Sequence, residues 1–195
     1  MASYSVNEIQ GLGFFSVGED VSISKNASIY NPGRIAIGNH VRIDDFCVLS
    51  AGPGGIEIGD YIHIAVYCSL IGAGKITIRD YANLSSRVSI YSSNDDYSGK
   101  HMTNPMVPVA FTGVTHADVF VGVHVIIGSG CVVLPGAHLE EGSAVGCLSL
   151  VKERCHAFGI YAGVPTHRIG ERKRDLLELE KQLRQQSMIG RNECL

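Results

Sequence analysis

The chain has 195 residues, a formal net charge of −3, 45% hydrophobic residues and 18% charged ones. That length suits one domain with a terminal appendage, and the balance is globular rather than disordered. No apolar run approaches the roughly 20 residues of a membrane-spanning helix, and a pI near 6.2 offers no electrostatic reason to expect nucleic acid.

The opening MASYSVNEIQ has neither a basic n-region nor an apolar h-region, so it does not read as a secretory signal. Residues 1–16 are read as an N-terminal segment. From Val17 onward the chain keeps a six-residue step: Val17, Ile23, Ile29; Ile37, Ile43, Leu49; Ile58, Ile64, Leu70; Ile78, Leu84, Ile90. The step resumes at Val121 and continues through Ile127, Val133, Leu139, Val145 and Val151. Four residues after most of these anchors stands a small or medium residue, such as Ala27, Cys47, Cys68, Val88 or Cys131. Val and Ile total 38 against 13 Leu, and Gly reaches 23, a composition of short strands and frequent turns.

Every interruption of the step follows a third hexad. Three hexads therefore close one coil, and all insertions leave from one corner of a triangular prism. The expected fold is all-β, a parallel β-helix of about six triangular coils over residues 17–160, each coil stable only against its neighbours. The insertion after Ile90 makes one long corner loop, residues 91–120. Cys47, Cys68 and Cys131 fall at small inward positions and read as buried apolar groups. With no C-x-x-C, the cysteines suggest a reduced, cytoplasmic protein.

Beyond the prism, Ala162-Gly163-Val164-Pro165 signals a turn. A helix is expected over 172–186, with Leu176, Leu179 and Leu183 on its apolar face and Glu178, Glu180, Lys181 and Arg184 on its polar face. The C-terminal unit is thus 161–186, and 187–195 reads as a flexible tail.

The hexapeptide pattern over about Val17 to Arg172 resembles the left-handed parallel β-helix acyltransferases. The text VFVGVHVIIGSGCVVLPGAHLEEGSAVGCLSLVKE followed by YAGVPTHRIGER is similar to the branch of galactoside, maltose and xenobiotic acetyltransferases. The stretch IYSSNDDYSGKHMTNP resembles acetyltransferases of surface-polysaccharide synthesis, several of which act on nucleotide-linked amino sugars. The resemblance supplies the left hand of the helix. It also implies a homotrimer, active sites between protomers, and acetyl-CoA lying along the prism wall.

Acetyl transfer needs a nucleophile relieved of its proton and a cradle for the thioester. In the resembling sugar O-acetyltransferases a histidine opens the long loop; here Asp95 stands at that place. A carboxylate of ordinary pKa is a poor base for a sugar hydroxyl but suits an amine, which attacks from its neutral form. The expected reaction is acetylation of the amino group of a nucleotide-linked amino-deoxy sugar, GDP- or dTDP-linked, for O-antigen synthesis. Asp95, Asp96 and His116 are the catalytic candidates, against a loop-capping reading of Asn94, Asp95 and Asp96. Asn94, Tyr91, Tyr97 and His101 are substrate-binding candidates, and the tyrosines, with Tyr67, equally suit a trimer interface.

For the CoA arm the resemblance falls on Gly128, Ser129, Gly146 and Cys147, the last pair replacing a more usual glycine-alanine. Lys152, His167, Arg168 and Arg172 lie toward the expected nucleotide end, where cations would meet phosphates. The alternative for the glycines is a plain coil corner, and for the cations a cap on the C-terminal helix. No metal is expected. An O-acetyltransferase relying on His116 or His101 is the first competing reading. A zinc-dependent carbonic anhydrase using prism histidines such as His63 and His124 is a remote one.

Overall fold

The computed structural model describes residues 2–192, with side chains through residue 186. Three sheets, parallel except for one terminal strand, form a β-solenoid, seven, eight and six strands deep. The six-residue anchors stack in three inward columns. One runs Val17, Ile37, Ile58, Ile78, Val121, Leu139, Cys155. The second runs Ile23, Ile43, Ile64, Leu84, Ile127, Val145, Tyr161. The third runs Ile29, Leu49, Leu70, Ile90, Val133, Val151. Most of these side chains are buried, so one continuous core fills the prism.

There are about seven turns rather than about six. After Val151 the chain makes one more partial coil through Cys155 and Tyr161; Cys155 comes only four residues after Val151, which breaks the six-residue step. That coil is capped by a strand at His167–Glu171, antiparallel to Gly159–Ala162. The sequence reading had only a turn here. The strand pairs the last open edge of its sheet, which would otherwise present unpaired backbone groups.

The small inward cysteines are packing groups. Cys47, Cys68 and Cys131 donate their thiols to the carbonyls of Ala65, Ser85 and Gly146 at 3.0–3.1 Å. Contact with Cys47, together with burial, pushes the Cys68 thiol up, and burial raises Cys155 to about 11. Neither thiol is a thiolate at neutral pH.

Two corners are built on residues in the left-handed backbone region, one per turn. The corner between the first and second columns uses Asp20, His40, Tyr61, Tyr81, His124, Gly142 and Phe158. Four of these rings stack: His40 on Tyr61, Tyr61 on Tyr81, and Tyr81 on His124, at 4.4, 5.1 and 4.9 Å. The corner between the second and third columns uses Phe46, Tyr67, Arg87, Gly130 and Leu148. The third corner releases every insertion, as the spacing predicts.

Two helices flank the solenoid. Helix α1 (Val6–Gly11) lies in the N-terminal segment, for which no element was expected; Ser5 and Glu8 form a reciprocal capping box, and Ile9 is buried. Helix α2 (Leu176–Asn192) begins later than expected and runs into the segment read as a tail, of which 193–195 lie outside the described residues. Its docking face also differs. Leu179 is 63% exposed, whereas Glu180 and Arg184, expected to face solvent, meet the ring ladder at His124 and Tyr81. The ladder offers an imidazole and a phenol ring, so a carboxylate and a guanidinium satisfy it better than leucine.

Candidate active site

The long loop leaves the third corner after Ile90. Ser92 is buried there and donates its hydroxyl to the Gly74 carbonyl at 2.7 Å. The loop's two ends then zip together, Ser93–Asn94 pairing antiparallel with Thr115–His116. Ser93 sits opposite His116, and its Oγ is 2.8 Å from the imidazole Nδ1 while accepting the Ala73 N–H at 2.7 Å. His116, from the far end of the loop, is thereby returned to the loop's root beside Asn94.

Asp95 follows this ribbon directly and is exposed. Asp96 is engaged inside the loop: its carboxylate accepts the N–H groups of Ser98 and His101 at 2.7 and 2.8 Å and lies 3.0 Å from His101 Nδ1. Hydrogen bonds, those from Ser98 foremost, hold Asp96 well below the usual carboxylate range. It is a loop-shaping group, and His101 is tied to it. Tyr91 is half-buried on the wall, paired with Ile71, whereas Tyr97 is exposed at the loop's outer part.

The four expected pantetheine contacts lie together on the second corner. A Cβ on Gly128 would stand 2.5 Å from the Cys147 nitrogen, so only glycine lets these two turns stack. Gly146 is less constrained, a Cβ there meeting the Ala162 methyl at 3.3 Å. Ser129 accepts the Leu148 N–H at 2.9 Å, and the Cys147 thiol is free and exposed. One turn below lie Ser85 and Ser86, which the sequence reading passed over: Ser85 N–H donates to Ile127 and Ser86 accepts from Gly130. Their only signal was their place directly after the anchor Leu84, the place that Gly128 and Ser129 hold after Ile127.

At the last coils a cleft of about 330 Å³ brings together Lys152, His167 and Arg168, with Arg154 as a further cation. Glu153, Glu140 and Glu171 partner Lys152, Arg154 and Arg168 respectively. Arg172 is not in this cleft. Its guanidinium donates to the carbonyls of His124 and Gly142 at 2.6 and 3.1 Å, and burial lowers its pKa. The reason is local: strand His167–Glu171 carries the chain across to the first corner, where Arg172 fastens the start of the helix segment.

Among the described residues, no group of three His, Cys, Asp or Glu side chains is placed to hold a metal ion. His63 is bonded to Asp44 at 2.9 Å and His124 to Glu180 at 2.6 Å. No described helix is long and apolar enough to cross a membrane.

No family model matches the chain. It is 57% identical, over 98% of its length and 100% of the other, to a dTDP-4-amino-4,6-dideoxy-D-glucose acyltransferase of Escherichia coli. AntD, an N-acyltransferase from Bacillus cereus crystallised with dTDP and 3-hydroxybutyryl-CoA, superposes with a TM-score of 0.91 at 45% identity, covering 96% of this chain and 99% of that one. A maltose O-acetyltransferase from Clostridium difficile shares the fold at a TM-score of 0.58 and 20% identity, over 86% and 75% of the two chains. At 57% identity over 98% of its length, and with the same fold as AntD, the chain belongs to the hexapeptide-repeat acyltransferases of nucleotide-linked amino sugars.

Proposed function

We propose that the protein transfers an acyl group from acyl-CoA to the amino nitrogen of a dTDP-linked 4-amino-4,6-dideoxy sugar. The identity of 57% across the whole E. coli acyltransferase carries this reading. It narrows the expectation of a GDP- or dTDP-linked acceptor to dTDP. A serine-to-cysteine mutant of AntD has been crystallised with dTDP-4-amino-4,6-dideoxyglucose and coenzyme A, which supports the same acceptor and donor.

The neutral amine attacks the thioester carbonyl carbon; the C–N bond forms and the C–S bond breaks. The amine's proton leaves through a nearby base, and the CoA thiolate is reprotonated. Asp95 is our choice for that base. AntD was crystallised with changes at a serine and at an aspartate ten residues further on. Ser85–Asp95 and Ser86–Asp96 both have that spacing here, and the carboxylate of Asp96 is consumed by its loop. His116 is the second candidate. When Nδ1–H donates to Ser93, Nε2 is left with its lone pair facing out of the ribbon. Gly128, Ser129, Gly146 and Cys147 form the wall for the pantetheine arm, with Lys152, His167 and Arg168 toward its phosphates.

A homotrimer belongs to this reading. The long loop exposes Tyr97, Met106, Val109 and Phe111, an apolar surface suited to a second copy of the chain. Cytoplasmic residence is supported by five free cysteines among the described residues. Surface-polysaccharide synthesis, O-antigen included, is the expected destination of such an acylated sugar.

The test is acyl transfer from acetyl-CoA to a panel of dTDP- and GDP-linked 3- and 4-amino-6-deoxy sugars and neutral galactosides, read by product mass. A mass gain confined to the dTDP-linked 4-amino sugar is expected. A gain on the galactosides would replace this reading with O-acetylation.

A further inference from the structure

The second corner is a single column of hydrogen-bonded turns. Tyr67 N–H donates to Asp45, Arg87 to Val66, Gly130 to Ser86 and Leu148 to Ser129, at 2.9–3.1 Å. Its upper part holds the glycine wall. Its lower part holds Phe46 and Tyr67, whose rings stack at 5.0 Å and 17°, with the Arg87 guanidinium 5.5 Å from the Tyr67 ring centre. Phe46 and Tyr67 are each about half exposed.

The other ring ladder shows what a structural stack looks like here: Glu180 and Arg184 of helix α2 close over its upper rings, and His40 is bonded to Asp20. Among the described residues no helix and no carboxylate closes over Phe46 and Tyr67; Arg87 of the next turn lies over Tyr67 and has no carboxylate partner. The acidic groups of the same corner are already engaged. Asp44 accepts from His63 and Arg42, and Asp45 bonds Ser24 and Asn26. The cation at this corner is therefore left for an external anion.

We propose that Phe46 and Tyr67 form the stacking platform for the pyrimidine of the nucleotide-sugar acceptor and that Arg87 takes its diphosphate. This deepens the proposed function and rests on it. Turns stack at about 4.8 Å, so Phe46 lies roughly 10 Å below the Ser85–Ser86 turn, two steps down the column. An extended hexose, diphosphate and ribose bridge a distance of that order. The acceptor amine would then lie at the Ser85–Ser86 turn, directly under the wall for the thioester. Exposed aromatic faces stack on bases, and an arginine pairs with phosphate oxygens in a bidentate fork.

The experiment is calorimetric titration of the full chain with dTDP, thymidine and CoA, comparing wild type with Phe46→Ala, Phe46→Leu and Arg87→Gln, with sedimentation of each. The expected result is a loss of dTDP affinity of about 5- to 100-fold in both Phe46 variants. Arg87→Gln should weaken dTDP, flatten its salt dependence and leave thymidine unchanged. CoA affinity should hold in all, which also shows that the variants fold; Phe46→Leu keeps the aliphatic bulk should the alanine fail that control. Unchanged dTDP affinity in both Phe46 variants would overturn the platform while leaving the proposed function standing. Wild type that binds CoA but not dTDP would overturn both. Oligomer dissociation in both Phe46 variants would make this corner an interface between copies and overturn the proposal.

Discussion

Glu180 Oε2 and His124 Nε2 are 2.6 Å apart, and through this contact helix α2 is fastened to the ring ladder of the first corner. The pair is largely shielded from water, with side chains 16% and 10% exposed. Arg184 bonds the same carboxylate at 2.7 Å and lies over Tyr81, so one glutamate joins helix, imidazole and phenol ring.

Removing that glutamate should loosen the helix while leaving the solenoid folded. Glu180→Ala leaves His124 without its acceptor, a cost of about 1–3 kcal/mol. Hydrogen exchange should accelerate in α2 and not in the buried columns. Protection unchanged across α2 would show that other contacts hold it.

The same contact predicts an acid limit. Burial pushes the Glu180 carboxyl up, but hydrogen bonds from His124 and Arg184 outweigh it, and the net displacement is downward. A carboxyl with a lower pKa folded than unfolded contributes stability above its unfolded value, about 4.3. That contribution is lost as pH falls through the folded value. The midpoint of thermal unfolding of wild type should therefore fall more steeply below about pH 4 than that of Glu180→Gln. Parallel curves would remove Glu180 from the acid response.

At the glycine wall, Gly128→Ala and Gly146→Ala should differ. The first places a methyl 2.5 Å from backbone nitrogen, which cannot move without parting two turns; the second meets a methyl at 3.3 Å. Overpacking of the first kind costs about 1–3 kcal/mol. Gly128→Ala should lower the unfolding midpoint and weaken CoA binding, and Gly146→Ala should do less of both. Equal effects would mean that the wall is more compliant than its geometry.

The adjacent aspartates should separate by kinetics. Asp95→Asn should lower kcat by about 100-fold or more, the range of a lost general base, with KM for the amino sugar little changed. Asp96→Asn, by loosening the hydrogen bonds to Ser98 and His101, should act mainly on KM and on proteolysis of the loop. Full activity in Asp95→Asn would move the search to His116.

His116→Gln should therefore keep activity on an amino sugar within about 10-fold, because Asp95 and not His116 takes the amine's proton. A loss of 1,000-fold or more, with Ser93→Ala causing a comparable loss, would make the Ser93–His116 pair the proton acceptor.

The solenoid was legible because its physics is local and repetitive. A six-residue spacing of aliphatic residues has one economical solution, three inward columns, and the columns hold at Ile23, Ile43, Ile64 and their counterparts. The loop's exit corner followed from where the insertions fall. The last partial coil was not legible, because beyond Val151 the spacing changes and burial at Cys155 and Tyr161 comes from the turn below. Helix α1 carried one short sign, the Ser5 and Glu8 pair of a capping box, over only six helical residues.

The site divides in the same way. Gly128 and Gly146 stand one turn apart by counting alone, so their stacking is a property of the sequence. What Asp95, Asp96 and His116 do was decided by tertiary structure. Loop hydrogen bonds consume one carboxylate, leave its neighbour exposed, and bring a histidine from the far end of the loop onto Ser93. Arg172 shows the limit most clearly. As a letter it belonged with Lys152 and Arg168, but an unanticipated strand carries it to the carbonyls of His124 and Gly142. A repeat fixes neighbours through its period, whereas contacts between an insertion, a terminal strand and the repeat depend on where the chain ends up in space.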